Sequence, residues 1–221
     1  MRMADKKEGL CDQDIREPLF LYLEEHYGKV RILEEKRTGS ARADVVMITP
    51  SLLYGIEIKS DADSYVRLSR QVKNYDWYYD RNILVVGSTH AKHAAEHVPS
   101  WWGLLSAEQK EGGGVDFYEL REPLENPKVK PARKIQILWR REINHLLALH
   151  SLPRYPGKSK AFVQEALLSR VAPGKLWPSV CEELFERDYT TIEEEILAYR
   201  EKKGRGRILG GTLKKRRGRL R

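Results

Sequence analysis

The stretch ADVVMITPSLLYGIEIK, residues 43–59, decides how the rest of the chain is read. Its two halves, ADVVMITP and LLYGIEIKS, are both strand-like, and the PSL between them reads as a tight turn, so the pair is expected to form an antiparallel hairpin. Residues i and i+2 of a strand share a face. Ile56 and Ile58 therefore point into a core, while Glu57 and Lys59 point together to the other side. Asp44 begins the partner strand, where a hairpin can bring its carboxylate beside Glu57.

Outward from the hairpin the pattern continues. KVRILEEKR reads as a preceding strand, joined through TGSAR, and residues 14–26 read as a first helix with Gly28 as its stop signal. A second helix is expected over 62–79, where Leu68, Val72, Tyr75 and Tyr79 give one apolar face. RNILVVGST is nearly all apolar, as a central strand covered on both faces would be. A short helix around HAKHAAEHV, a strand in WWGLLSAE, a QKEGGG turn and an edge strand VDFYEL follow. Beyond about residue 121 a proline-rich, charged connector leads into three or four helices, the last with a Thr191/Glu194 capping box. The order α-β-β-β-α-β-α-β predicts an α/β fold with a mixed sheet, divided as a sheet domain over 1–125, a helical region over 126–201 and a basic tail over 202–221.

Composition limits the function classes. The 221 residues are 41% apolar with five Trp and eleven Tyr, enough for a core. No apolar run approaches the ~20 residues needed to span a bilayer, and MRMADKKEGL lacks the apolar stretch of a secretory signal. The two cysteines, Cys11 and Cys181, form no metal pattern, so a reduced, cytoplasmic protein without a membrane partner is expected. The net charge of +8 is asymmetric: residues 202–221 carry ten Lys or Arg and no acid, leaving −2 for the remainder. Such a tail suits a polyphosphate partner through counterion release, with Arg216 and Arg217 among its candidate contacts.

Asp44 and Glu57, a few ångströms apart with backbone carbonyls and waters nearby, are a hard-oxygen donor set suited to Mg²⁺ or Mn²⁺. Lys59 either orients a water or stabilises charge on phosphorus; as a general base it must first lose its proton. Asp44, twelve intervening residues, then Glu57-Ile58-Lys59 resembles the PD-(D/E)xK nuclease superfamily, with Ala43 in place of the leading proline. QVKNY, with Gln71 and Tyr75 four apart, is similar to the Q-x-x-x-Y of its RecB-like and lambda-exonuclease-like members. The wider string over 41–87 looks like that of a small group of bacterial and phage proteins assigned to the superfamily, and the resemblance covers roughly residues 12–108. The resemblance implies a restriction-endonuclease-like αβββαβ core and a metal-dependent nuclease acting on DNA. It assigns the ion to Asp44, Glu57 and the Ile58 carbonyl, the water to Lys59, and substrate positioning to Gln71 and Tyr75. Endo- versus exonucleolytic cleavage, and DNA versus RNA, are left open.

Other residues carry two readings each. Glu17, Glu34 and Glu35 are candidates for a further carboxylate, or are surface acids. Arg42 holds a phosphate or pairs with Glu57; Arg67 and Arg70 contact a DNA backbone or belong to a solvated helix face. Ser60, Asp61 and Ser64 read as caps of the second helix. His90, His93 and His97 share a helical face without a fourth ligand, and Trp101 and Trp102 read as core anchors, one of them able to stack on a base.

Overall fold

Six strands form one mixed sheet in which the spatial order follows the chain, β1-β2-β3-β4-β5-β6. The computed structural model describes residues 9–38 and 41–187. The chain divides into two units, Met1–Phe185 and Glu186–Arg221, and every element named here belongs to the first. Helix α1 (Asp12–Tyr27) precedes β1 (Arg31–Thr38), β2 (Ala41–Ile48) and β3 (Leu53–Lys59); helix α2 (Leu68–Tyr78) then leads to β4 (Arg81–Gly87), the short α3 (Ala94–His97), β5 (Gly103–Gln109) and β6 (Val115–Arg121). β1, β2 and β3 are an antiparallel meander. The α2 and α3 crossovers make β3, β4 and β5 parallel, and β6 returns antiparallel as an edge.

The period-two pattern of the opening hairpin sets both faces of the sheet. Ile56 and Ile58 pack with Val45, Met47, Ile83 and Val85 against Ile15, Leu19 and Leu23, the i, i+4, i+8 stripe of α1. Burying each such side chain contributes roughly 1.5–3 kcal/mol. On the other face Gly55 leaves room for α2: a Cβ there would lie 2.7 Å from Tyr75 Cδ1. All seven residues of β3 are buried, so Glu57 and Lys59 do not sit on a wet face; they lie between the sheet and α2.

The hairpin, the central strand and the β5–β6 edge pair match the sequence-based expectation. Gly112, Gly113 and Gly114, all at positive φ, turn the β5–β6 connection. The second helix differs. A helix over 62–79 is expected, yet a 3₁₀ turn occupies Tyr65–Arg67 and α2 begins only at Leu68. The preceding acids engage elsewhere. Asp61 accepts the Leu10 and Thr89 backbone N–H groups at 2.9 and 3.0 Å, and Asp63 accepts from Ser60 N and Oγ at 2.9 and 2.7 Å. Asp61 is thus a clasp between the N-terminal segment and the loop after β4, not a helix cap, and Ser64 makes no side-chain cap bond.

Residues 132–150, ARKIQILWRREINHLLALH, read in sequence as one of the helices after the connector, are also interrupted. A short helix α4 (Pro131–Lys134) gives way to a 3₁₀ turn, Leu138 is extended, and α5 (Arg140–Leu149) restarts with Glu142 accepting the Trp139 N–H at 2.6 Å. Helices α6 (Lys160–Arg170), capped by Ser159, and α7 (Pro173–Phe185) follow. α4 packs on α2 and α7 on β2, so the helices after residue 125 share a unit with the sheet as far as Phe185. The Thr191/Glu194 capping box and the tail lie outside the described residues.

Candidate active site

The end of the β2–β3 ladder builds the site. Backbone pairing stops at Val45 with Ile56. One residue further, the Asp44 side chain takes over, its Oδ2 accepting the Ile58 N–H at 3.0 Å. Glu57 lies on the same face of the sheet, with no solvent exposure. Lys59 Nζ donates to Glu57 Oε1 at 2.5 Å, Gln71 Nε2 donates to the same oxygen, and Tyr75 Oη donates to Glu57 Oε2 at 2.7 Å. Tyr75 Oη also accepts the Asp44 N–H at 3.1 Å, so one phenol ties together the two strands that carry the carboxylates. All five residues singled out from sequence, Asp44, Glu57, Lys59, Gln71 and Tyr75, are therefore joined in one hydrogen-bonded cluster.

Burial and like charge shape its electrostatics. Loss of water pushes the Glu57 carboxyl up to about 7, and the Asp44 charge adds to this, while Lys59 and the hydrogen bonds from Lys59 and Tyr75 pull it down. Asp44 is also raised by burial, against the pull of the Ile58 N–H, Lys59 and Arg16. Tyr75 is held well above the ordinary phenol range by burial and by the Glu57 charge, so it keeps its proton as a donor.

The cluster forms the floor of an open cleft of about 570 Å³. Arg42, Arg67 and Arg70, the candidate phosphate contacts, all line it, as does Ile58. Arg216 and Arg217 lie outside the described residues. Glu17 is exposed and does not line the cleft, and Glu34 is 3.6 Å from Arg16 Nη1. The α1 acid that does line it is Asp12, bonded at 2.5 Å to Arg16 Nε, while Arg16 Nη1 donates to the Asp44 carbonyl at 3.3 Å.

Sequence reading missed Asp12 because it began the helix at residue 14, and missed Arg16 because its bond to the Asp44 carbonyl joins elements 28 residues apart in the chain. The available signal was Asp14, three residues after Cys11, which accepts the Cys11 N–H at 2.8 Å and marks an earlier start.

The remaining candidates have ordinary partners. The His90 and His97 rings lie against Tyr65, with centroids at 4.9 and 4.1 Å, and His93 meets Glu96 at 2.9 Å. Trp102 is fully buried and donates to Asp76 Oδ1 at 2.9 Å; Trp101 is half-buried and donates to the same oxygen at 3.2 Å.

The structure defines an α/β domain with a mixed sheet and a buried carboxylate–lysine cluster opening into an arginine-lined cleft. Residues 8–209 match the family described as Bacteriophage P4 protein cII, and over that span the chain belongs to this family. No curated protein and no solved structure matches the chain. Among the described residues no helix is long and apolar enough to cross a membrane.

Proposed function

We propose that this protein is a metal-dependent nuclease that hydrolyses phosphodiester bonds in DNA in the cytoplasm, on a restriction-endonuclease-like αβββαβ core. The observation that supports this reading is the hydrogen-bonded cluster of Asp44, Glu57, Lys59, Gln71 and Tyr75 beneath a cleft lined by Arg42, Arg67 and Arg70. The element order α1-β1-β2-β3-α2-β4 agrees with that core.

The donor chemistry fits Mg²⁺ or Mn²⁺. Asp44, Glu57 and the Ile58 carbonyl are hard oxygens, and Gln71 Oε1 is buried without a hydrogen-bond partner. Burial raises both carboxyls, with the Asp44 charge adding to the rise at Glu57 and the Asp12 charge to that at Asp44, a penalty that a cation relieves. When bound, such an ion polarises a phosphoryl oxygen and lowers the pKa of a water. Glu57 accepts on both oxygens, so holding an ion at Oε1 would require a donor to leave that oxygen; where that donor is Lys59, its ammonium would turn towards the cleft. There it stabilises phosphate charge or, after losing its proton, accepts one from the attacking water. Tyr75 holds Glu57 Oε2 and the Asp44 backbone in register, and the three arginines bind the phosphate backbone.

Incubating the protein with linear, circular and single-stranded DNA tests the proposal. Cleavage is expected with Mg²⁺ or Mn²⁺ and is abolished by chelator, Asp44→Ala and Lys59→Ala. No cleavage of any substrate with either ion, or cleavage unchanged in the variants, overturns it.

A second reading, a non-catalytic DNA-binding protein on a degenerate nuclease fold, draws on two observations. Glu57 is satisfied by protein donors alone, and among the described residues no group of three or more His, Cys, Asp or Glu is placed to hold a metal. Calorimetric titration separates the two, because the degenerate site binds neither ion. Deleting residues 202–221 is expected to weaken DNA binding and its salt dependence without altering that titration.

A further inference from the structure

The basic character of the chain is not confined to its tail. Residues 9–125 hold fourteen Lys and Arg against twenty Asp and Glu, a net −6, whereas residues 126–187 hold twelve against five, a net +7. Within 126–141 there are six cations and no acid. This segment begins as a strap fastened to the C-terminal end of α2. Asn126 N donates to the Asp80 carbonyl at 2.8 Å, and Asn126 Nδ2 donates to the carbonyls of Asp76 and Tyr79 at 2.9 and 2.7 Å. Lys130 N donates to the Trp77 carbonyl at 3.1 Å, and Lys134 Nζ reaches Asp80 Oδ1 at 2.7 Å.

The strap lays exposed cations over half-buried indoles. Lys128 Nζ is 4.6 Å from the Trp101 ring, Lys130 Nζ is 4.7 Å and the Arg133 guanidinium 5.8 Å from the Trp77 ring. Neither indole serves the core as Trp102 does, which has no solvent exposure. The Trp101 ring is nevertheless fixed in orientation, because its N–H and that of Trp102 share the buried carboxylate Asp76.

We propose that this strap is a docking surface for single-stranded nucleic acid. Lys128, Lys130 and Arg133 take the phosphates, and the Trp77 and Trp101 faces, released as those flexible side chains swing to the backbone, stack on bases. Base–aromatic stacking tolerates any sequence, because every base has a π-face. Because the backbone hydrogen bonds already hold the strap in place, binding orders little new chain. A duplex is the poorer ligand, since its bases are stacked on one another and out of reach of an indole. The surface stands apart from the cleft chemistry and does not depend on cleavage.

Binding of the full chain to fluorescein-labelled oligo-dT, oligo-rU and a duplex of equal length, followed by anisotropy in chelator over a range of salt, tests this. The variant carrying Lys128→Gln, Lys130→Glu and Arg133→Glu alters exposed side chains, and because Lys128 Nζ also lies 3.8 Å from the buried Asp76 carboxylate its thermal unfolding is measured alongside. It is expected to lose about tenfold or more in affinity for the single strands, with a salt slope shallower by about 2, or ~0.7 for each of three phosphate contacts. Oligomer binding is expected to quench tryptophan emission, and the double variant Trp77→Phe, Trp101→Phe to lose that quench. Glu125→Gln, which removes an exposed acid beside the strap, is expected to tighten binding. Unchanged affinity in the triple variant, a preference for duplex without quenching, or equal competition by polyglutamate overturns the proposal. Because no metal is present, these outcomes are separate from the success or failure of the nuclease reading.

Discussion

Tyr75 Oη donates to Glu57 Oε2 at 2.7 Å from a position with 1% exposure, which makes a helix residue part of the geometry of a strand carboxylate. The same oxygen accepts the Asp44 N–H, so the phenol bridges both acids of the cleft.

Tyr75→Phe removes this bridge while keeping the ring. It leaves a buried carboxylate oxygen and a buried N–H without partners, each costing about 1–3 kcal/mol. For a chain of this size that lowers the melting temperature by roughly 2–4 °C per kcal/mol. Thermal unfolding checks the loss, and cleavage, under the proposed nuclease function, is expected to fall by more than stability alone explains.

Glu57 gives stability a distinct pH dependence. Its carboxyl titrates at about 7 in the folded protein against an ordinary value of 4.5, so between these values the folded state holds a proton that the unfolded state has lost. Its contribution is fully present below the unfolded value and is lost as pH rises through the folded one. Urea midpoints are expected to fall from pH 5 to 8 with a slope of at most ~1.4 kcal/mol per pH unit from this group. Glu57→Gln flattens that slope, and an unchanged slope in the variant refutes the assignment.

Gly55 is a packing requirement of the site. Gly55→Ala drives a methyl into the Tyr75 and Tyr79 rings, where overpacking costs about 1–3 kcal/mol. Because Tyr75 must shift, Asp44 and Glu57 lose their common partner, so a fall in the urea midpoint is expected, together with weaker Mg²⁺ binding by calorimetry under the proposed metal-dependent function.

Asp76 tests the polar core under the strap. Its carboxylate accepts from the Trp101 and Trp102 indoles at 3.2 and 2.9 Å. Asp76→Ala orphans both donors and is expected to cost about 3 kcal/mol or more, whereas Asp76→Asn keeps an acceptor oxygen and costs less. Denaturant titration of the two variants distinguishes a hydrogen-bonding role from simple volume.

Residues 43–59 by themselves determined the hairpin, its register and the shared face of Asp44, Glu57 and Lys59, because strand periodicity is local and a one-residue slip would expose Ile56 and Ile58. The apolar stripe of α2 was legible for the same reason, with spacings of three and four residues. The burial of Glu57, the Asp12–Arg16 pair at the cleft, the Asp61 clasp and the strap over Trp77 and Trp101 were decided only by tertiary structure. Each depends on which helix or connector covers a given face. Desolvation and hydrogen bonds between residues far apart in the chain leave no periodic trace in its sequence, so Glu57 of GIEIK acquires its raised proton affinity only once α2 closes over it.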